Sequence, residues 1–317
     1  MKKNIFKILT IYILIMLLFC INNSSFAITE TNTANEQEII SFNIHTREIS
    51  TLSEQEIETK AITSMQEKDI VINGNIVEGY TPDSGTNISP NSIIIGGDYP
   101  KACTANPKIC EIIVTMPSGD KLRGTGFLVG DNLLLTAGHC VYDTKYGGGA
   151  THIQIAPGAT WDYTNNNLVY PYGVNTQAWN MHLSTEWLNG QNSREDWAIV
   201  QFNGGFLNGK NPGWFGFAYS ENYDFFVNDG LSVSVQGYSN DRMPMCQYVS
   251  RNRVTVANNF HLGYYTSTDS GMSGSPVFHQ NDIAVGIHTN GVNGPVPGYN
   301  SCRNINQTLF NLIVSLR

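Results

Sequence analysis

The chain has 317 residues, of which 41% are hydrophobic, a length and composition that suit a folded protein with one sizeable core or two smaller ones. It carries 18 Lys and Arg against 26 Asp and Glu, a net charge of −8 without basic clusters, which argues against nucleic-acid binding. No CxxC pair and no His/Cys cluster with zinc spacing occurs, so we expect no metal–thiolate site and no cofactor, and nothing indicates a structural Ca²⁺.

The amino-terminal residues have the features of a secretory signal. Three lysines precede an apolar run from Ile8 to Ile21, and small residues stand at positions −3 and −1 of a cleavage site after Ala27. The alternative is a membrane anchor, but the run is short for a span of roughly 20 residues. We therefore expect residues 1–27 to be a signal peptide, and the mature protein to be secreted, extracellular and not attached to a membrane.

The next segment, residues 28–92, is acidic and poor in aromatic residues. It has 3 basic against 11 acidic residues, whereas residues 93–317 have 12 against 15. Phe42 and Tyr80 are its aromatic residues, too few to build a core. This composition is typical of a propeptide or a flexible spacer. We expect a propeptide, followed by one folded domain over residues 93–317.

From Glu111 onward, short apolar runs alternate with turns rich in Gly, Asn, Asp and Ser, which predicts an all-β domain of antiparallel strands. The runs lie in EIIVTMPSGDKLRGTGFLVGDNLLLTAGHCV, EDWAIVQF, LSVSVQGYS, SRNRVTVA and SPVFHQNDIAVGIHTNG. The end of the chain differs, because residues 304–317 have apolar side chains at helical spacing and predict one amphipathic helix. These side chains are Ile305, Leu309, Leu312, Ile313 and Leu316.

Three short motifs contain residues suited to acyl transfer. LLLTAGHCV places His139 after an apolar strand, REDWAIVQF places Asp196 before one, and TSTDSGMSGSPVF places Ser273 between two glycines. Each residue alone also suits a structural role in a core, at a strand start or in a hairpin. Together they provide a nucleophile, a base that activates it, and a carboxylate that orients the base. The glycines let backbone N–H groups converge on an oxyanion.

The motifs TAGHC, DWAI and SGMSGSPVF, in this order, resemble those of the chymotrypsin-like serine proteases, and more closely the bacterial glutamyl endopeptidase branch, over about residues 93–317. The resemblance implies two perpendicular six-stranded antiparallel β-barrels with the site in the cleft between them. It also implies that His139 is the general base, Asp196 the orienting carboxylate and Ser273 the nucleophile. Gly271 and Ser273 would donate the oxyanion N–H groups.

The resemblance also concerns activation and specificity. Met272 stands where vertebrate digestive enzymes have an Asp that pairs with the freed amino terminus, so that switch is absent. In NSIIIGGDYP, cleavage after Ser92 would leave Ile93 as the mature terminus, near the specificity pocket. Thr268 and His288, five residues before and fifteen after the nucleophile, match the residues with which the branch binds a substrate carboxylate, which implies cleavage after Glu and less well after Asp.

Other residues bear on this specificity. Ser267 is uncharged, which argues against cleavage after Lys or Arg, and Asp269 is expected to point away from the pocket. Residues 28–92 contain nine Glu and the 225 residues after them four, as suits a protease that avoids its own target residue. Disordered segments are rich in Glu in any case, and His288 has the alternative of a purely structural role in an edge strand.

The sequence after residue 27 contains five cysteines, an odd number. Cys103 and Cys110 can close a small loop, and we expect them to pair. Related proteases pair the cysteine after the catalytic histidine with one in the preceding strand. The corresponding position here is near Gly124, so Cys140 lacks that partner and the remaining cysteines are unassigned.

The sequence thus predicts a monomeric, secreted serine endopeptidase that is made as a zymogen and acts on protein or peptide substrates containing Glu. Two alternatives are open. One is a non-catalytic homologue that uses the fold as an adhesin or binding module. The other is a serine protease with apolar specificity, in which His288 is structural.

Overall fold

The structure is a computed structural model that describes residues 38–67, 72–73, 76–78, 100–228 and 230–317. The expected signal peptide, its cleavage site after Ala27 and the expected mature terminus at Ile93 lie outside these residues. In the described ranges, no helix combines the length and the apolar character needed to span a membrane.

The described residues form strands and helices with the following bounds. The strands are β1 (Ile39–Asn43), β2 (Ile49–Leu52), β3 (Ile72–Asn73), β4 (Ile76–Val77), β5 (Lys101–Ala102), β6 (Ile109–Thr115), β7 (Lys121–Gly130), β8 (Leu133–Thr136), β9 (Tyr142–Asp143), β10 (Gly148–Gly149), β11 (His152–Pro157), β12 (Thr160–Asp162), β13 (Asn167–Val169), β14 (Ala178–Ser184), β15 (Ala198–Phe202), β16 (Gly216–Ala218), β17 (Ser232–Tyr238), β18 (Gln247–Ala257), β19 (His261–Tyr264), β20 (Pro276–His279), β21 (Ile283–Asn290) and β22 (Asn300–Asn304). The α-helices are α1 (Glu54–Glu67), α2 (Gly138–Val141), α3 (Thr185–Gly190), α4 (Tyr223–Asn228) and α5 (Gln307–Leu316).

Six strands of the carboxy-terminal half form a closed antiparallel barrel, in the order β20-β17-β18-β19-β22-β21 with β21 pairing back to β20. Alternating apolar side chains fill it, including the fully buried Val235, Leu262 and Val277. Short strands extend this sheet, since β16 pairs with β21 in parallel and β5 pairs with β18. The predicted strands in this half of the chain are thereby confirmed.

Strands from residue 109 to residue 202 form a second large antiparallel sheet, in the order β11-β6-β7-β8-β15-β14. Its two outer strands approach each other where an isolated bridge pairs Ile155 with Asn175, just before β14 begins. Phe127, Leu135 and Ile199 are fully buried in its core. The chain is therefore mostly β, with one closed six-stranded barrel and a second six-stranded sheet that is further extended at β14.

The predicted carboxy-terminal helix is confirmed. Helix α5 begins after Asn306, whose side chain accepts a hydrogen bond from the Leu309 N–H and so caps the helix. It starts later than the apolar pattern because Asn304 is the last residue of β22. Leu309, Leu312 and Ile313 are buried in the same core cluster as Phe127, Leu135 and Ile199.

Part of the acidic segment is folded onto the domain and is not a flexible spacer. Strand β1 adds to the outer strand β14, pairing Ile39 with Ser184, and Ile39 and Phe42 are buried. Helix α1 packs on α5 with Ile57 and Ala61 buried. A count of aromatic residues missed this because the segment builds no core of its own: it covers apolar surface that the domain supplies.

Candidate active site

His139 lies in the single turn of α2, directly after β8. Gly138 precedes it in a crowded position, where a Cβ would lie 3.0 Å from the Trp187 ring and 3.1 Å from Asp196 Oδ1. The absence of a side chain at Gly138 is what lets the Asp196 carboxylate approach the His139 backbone. Gly138 of the TAGHC motif therefore permits close packing between Asp196 and His139.

Asp196 holds His139 by two hydrogen bonds. It follows a 3₁₀ helix, Ser193–Glu195, and is 3% exposed. Its Oδ1 accepts from the His139 backbone N–H at 2.9 Å, and its Oδ2 lies 2.8 Å from Nδ1. Since an ionised carboxylate only accepts, Nδ1 carries the proton and Nε2 is free to accept one. Burial lowers the pKa of His139, but the Asp196 carboxylate and the neighbouring Cys140 reverse this and raise it well above 6.5.

A buried ion pair adjoins Asp196 through the preceding residue, Glu195, and the sequence alone did not indicate it. The Arg303 guanidinium of β22 lies 3.3 Å from Glu195 Oε1, and the two side chains are 0% and 2% exposed. The Trp197 indole N–H donates to Glu195 Oε2 at 2.6 Å. The acid in REDWAI was visible in the sequence, but its partner lies 108 positions away. The pair ties the closed barrel to the residue preceding Asp196.

Ser273 lies in the loop between β19 and β20, flanked by two glycines with left-handed backbone angles, Gly271 at φ +88° and Gly274 at φ +85°. The N–H groups of Met272, Gly274 and Ser275 each donate to a backbone carbonyl. Among the described residues, those of Gly271 and Ser273 make no hydrogen bond. In the described residues, the two N–H groups that the resemblance implies for binding an oxyanion are thus unpaired.

The loop of Ser273 packs directly against the element that carries His139. The Ser273 carbonyl accepts from the Thr125 N–H at 3.0 Å and lies 3.6 Å from the Cys140 sulfur, the residue after His139. In the described part of the chain, no hydrogen bond joins the Ser273 hydroxyl to the His139 ring. Such bonds are often long in free enzymes and shorten when substrate binds.

His288 lies in β21 and is bonded to the same loop. Its carbonyl accepts from the Gly274 N–H and its N–H donates to the Ser275 carbonyl, both at 2.8 Å. The side chain is 4% exposed, and its Nδ1 lies 2.9 Å from the Tyr264 hydroxyl. Burial, with the nearby His139 charge, lowers the pKa of His288 to about 4. The imidazole is therefore neutral at pH 7 in the absence of a ligand.

The Asp269 carboxylate, which was expected to point away from the pocket, is bonded to two neighbouring side chains. It forms an ion pair with the Arg242 guanidinium, whose Nη2 is 3.2 Å from Oδ1, and accepts from the Ser239 hydroxyl at 3.1 Å. The positive charge of Arg242 offsets the carboxylate that would otherwise repel an acidic substrate. Thr268, next to it, is half-buried, and in the described ranges its hydroxyl makes no hydrogen bond.

Met272 is part of the closed barrel's core. Its side chain is fully buried with Val235 and Val277, and its sulfur accepts the Asp269 N–H at 3.4 Å. The position before Ser273 thus has an apolar environment with no room for an ion pair. The loop must be held by other contacts.

The predicted pairing of Cys103 with Cys110 is wrong. All five described cysteines are free thiols. Cys110 is fully buried in β6, whereas Cys103 follows β5, which pairs with β18, and its N–H donates to the Gln247 carbonyl at 3.0 Å. Pairing with the closed barrel therefore takes Cys103 away from Cys110, and proximity in sequence does not produce contact.

The expectation for Cys140 gives a testable prediction. A Cβ built on Gly124 lies 3.1 Å from the Cys140 sulfur. A cysteine sulfur bonded to that Cβ can reach the Cys140 sulfur with an S–S bond of about 2.04 Å. We expect Gly124→Cys to form this disulfide and to stabilise the fold by about 3 kcal/mol. Thiol titration and melting temperature with and without reductant measure it, and Gly124→Ser is the control of similar size. A melting temperature that reductant leaves unchanged would contradict the prediction.

Comparison with known proteins relates this chain to peptidases. Residues 124–287, more than half of the chain, match a family described as a trypsin-like peptidase domain. The chain is 29% identical over 194 residues to the glutamyl endopeptidase of Bacillus licheniformis, covering 59% of this chain and 57% of that protein. It is 32% identical over 209 residues to the extracellular metalloprotease of Bacillus subtilis, covering 64% and 61%. The chain therefore spans about three fifths of each relative's length.

Solved structures share the fold. A Glu endopeptidase in complex with MPD has a TM-score of 0.56 at 22% identity, covering 70% of this chain and 97% of that one. The protease Anisep from Arthrobacter nicotinovorans has a TM-score of 0.54 at 21% identity, covering 68% and 100%. At these identities the likeness shows the architecture alone.

Proposed function

The chain belongs to the trypsin-like peptidase family, and from that membership we propose that it is a secreted endopeptidase that cleaves on the carboxyl side of Glu, and less well of Asp. As a trypsin-like serine peptidase related to glutamyl endopeptidases, it needs a residue that recognises the substrate side chain. The observation that carries the proposal is the position of His288, a buried imidazole hydrogen-bonded through its backbone to the loop of Ser273.

The proposed reaction uses His139, Asp196 and Ser273. The Ser273 hydroxyl attacks the substrate carbonyl carbon while His139 Nε2 takes its proton, and Asp196 stabilises the imidazolium. The oxyanion of the tetrahedral intermediate accepts from the N–H groups of Gly271 and Ser273. His139 then gives the proton to the leaving amine, and a water molecule, activated by the same imidazole, releases the acyl group.

Recognition of Glu is assigned to His288 with Thr268. If the Tyr264 hydroxyl donates to His288 Nδ1, the neutral ring carries its proton on Nε2 and can donate it to a carboxylate. The arriving negative charge also favours protonation of the ring, so the carboxylate and the imidazole stabilise each other. The unpaired Thr268 hydroxyl adds a donor, and the ammonium of Ile93, once freed, would add a positive charge.

Export and activation are proposed from the sequence of residues 1–92. Residues 1–27 have the pattern of a signal peptide, and one relative is named an extracellular metalloprotease. Residues 28–92 are proposed to be a propeptide whose removal generates the mature terminus. The scarcity of Glu after residue 92, four against nine in that segment, is consistent with a protease that cleaves after Glu.

A fluorophosphonate probe tests the catalytic part of the proposal. Mature protein should be labelled at Ser273, and Ser273→Ala should not be labelled, because the probe reacts with an activated serine. Mass spectrometry of the labelled peptide identifies the site. Folded wild-type protein that stays unlabelled would favour the non-catalytic binding module.

Specificity is tested by His288→Ala with matched peptides that differ only in the residue before the cleaved bond. We expect kcat/KM to fall about 100-fold for Glu and less than about 3-fold for Leu, since only Glu loses a charge-assisted hydrogen bond. Tyr264→Phe is the companion variant, and it should lower the Glu value by about 10-fold. Equal losses for both peptides would show that His288 is structural, and cleavage that is not dominant after Glu in a peptide library would overturn the specificity.

A further inference from the structure

We propose that Thr125 is a positioning residue that holds the loop of Ser273 in the conformation that stabilises the oxyanion. Thr125 lies in β7, in the second large sheet, and is fully buried, whereas Gly271 and Ser273 belong to the closed barrel's half of the chain. The inference rests on the proposed role of Ser273. It goes beyond the proposed function because it assigns a role to a residue outside the loop, while Met272, the residue before Ser273, is buried among apolar side chains.

Thr125 contacts the loop at two carbonyls. Its hydroxyl donates to the Gly271 carbonyl at 2.9 Å, and its backbone N–H donates to the Ser273 carbonyl at 3.0 Å. The hydroxyl also accepts from the Tyr238 N–H at 3.0 Å. Since a backbone N–H only donates, the hydroxyl's own hydrogen is left for Gly271. The Tyr238 N–H of β17 therefore orients this hydroxyl so that its hydrogen points to the Gly271 carbonyl of the loop.

Thr125 binds the carbonyls of two peptides, Gly271–Met272 and Ser273–Gly274. The free N–H groups belong to the peptide that precedes each of them in the chain. The Ser270 carbonyl accepts from the Asn240 N–H at 2.7 Å, which turns the Gly271 N–H of the same trans peptide the opposite way. The Met272 carbonyl accepts from the Ser275 N–H at 3.0 Å, which does the same for the Ser273 N–H. Thr125 binds the carbonyl of the next peptide in each case, at Gly271 and at Ser273.

Loss of the Thr125 hydroxyl would leave the Gly271 carbonyl buried without its donor. A buried carbonyl that loses its partner favours any rearrangement that restores one. Rotation of the Gly271–Met272 peptide is such a rearrangement, and it changes the angles at Gly271, a residue whose freedom at positive φ permits it. That rotation changes ψ of Gly271 and φ of Met272, so it displaces Ser273 and its N–H relative to the Gly271 N–H, and the two donors no longer converge on the position of the oxyanion.

Thr125→Val tests the inference, because it keeps the shape and removes the hydroxyl. We expect kcat for a Glu-containing peptide to fall about 10- to 100-fold with KM changed less than about 3-fold, the pattern of an interaction made only in the transition state. A peptide aldehyde, which forms a tetrahedral adduct, should lose affinity by the same factor. Thr125→Ser restores the hydroxyl and should recover most of kcat. Rates are normalised to molecules labelled by fluorophosphonate at completion.

A merely structural role predicts a different pattern. In that case Thr125→Val lowers the melting temperature but leaves kcat per labelled molecule and aldehyde affinity at the wild-type values, and the inference is wrong. If Thr125→Val does not fold, Thr125→Ala, which also lacks the hydroxyl, is measured against Thr125→Ser in the same way. Failure of the proposed function is separate, since wild-type protein would then not be labelled at all.

Discussion

Replacing Asp196 by Asn should lower kcat for a Glu-containing peptide by about 10⁴-fold at pH 7, with little change in KM. The size of this effect is the one known for a serine–histidine–aspartate site in general. An Asn side chain fits the same space, but its NH₂ group can donate to His139 Nδ1 where the carboxylate accepts at 2.8 Å. The ring proton then moves to Nε2, and His139 can no longer take the proton of Ser273.

The pH dependence provides a second readout of the same variant. Burial lowers the pKa of His139 and the Asp196 carboxylate reverses this, so the wild-type pKa lies well above 6.5. Because the base must be neutral, wild-type kcat/KM should rise with pH through that pKa. A raised folded-state pKa stabilises the fold below pH 6.5, and this contribution is lost as pH rises through the folded-state value. The stability difference between Asp196→Asn and wild type should therefore be largest in acid.

The control for this prediction is the same change at an exposed carboxylate. Asp120 lies in the turn between β6 and β7 and accepts from the Ser118 hydroxyl at the surface. Asp120→Asn should keep wild-type kcat and its pH profile. A fall in kcat of less than about 10-fold for Asp196→Asn would remove the orienting role from Asp196.

Much of the candidate site was predictable because its chemistry is written in contiguous motifs. The geometry of His139 depends on Gly138 and Asp196, and the motifs TAGHC and DWAI contain both. Ser273 and its glycines form one loop whose backbone angles follow from the glycines themselves. The folding of one strand or turn thus places each reactive group, and a single sequence suffices to recognise it.

The contacts that hold these motifs together could not be predicted. Thr125 and Gly271 are 146 positions apart, and Arg303 and Glu195 are 108 apart. A threonine inside an apolar strand gives no sign of which carbonyl its hydroxyl will meet, because the meeting depends on how the two halves of the domain pack. Pairing of β5 with β18 separated Cys103 from its predicted partner for the same reason.

The acidic segment shows a different limit. Ile57, Ala61 and Ser64 recur at helical spacing and form the buried face of α1. That signal was available, but the composition of residues 28–92 as a whole concealed it. An average over 65 residues weighs charge and aromatic content, whereas docking requires only one apolar strand and one helix face opposite an uncovered surface.

Gly274→Ala should abolish activity, with a loss of at least about 10³-fold in kcat/KM, and it tests how tightly the loop is held. A Cβ at Gly274 would lie 2.0 Å from the Thr125 carbonyl oxygen and 2.3 Å from the Thr136 hydroxyl. The first contact is with backbone and cannot be relieved by a side-chain rotation, so the loop must move. Ser273 moves with it, and its position relative to His139 changes.

A second glycine separates the two effects of an added Cβ at Gly274, which are the strain of a positive φ and the clash with Thr125. Gly119 has a φ of +89°, close to the +85° of Gly274, but a Cβ there meets nothing within 4 Å. Gly119→Ala should therefore lower the free energy of unfolding by about 1–2 kcal/mol, the cost of a left-handed alanine, and leave activity at the wild-type value. Denaturant titration and kcat/KM per folded molecule measure both effects. If Gly274→Ala loses no more activity than Gly119→Ala, then the close contact between Thr125 and the loop is not what places Ser273, because the strain common to both positions would account for the whole effect.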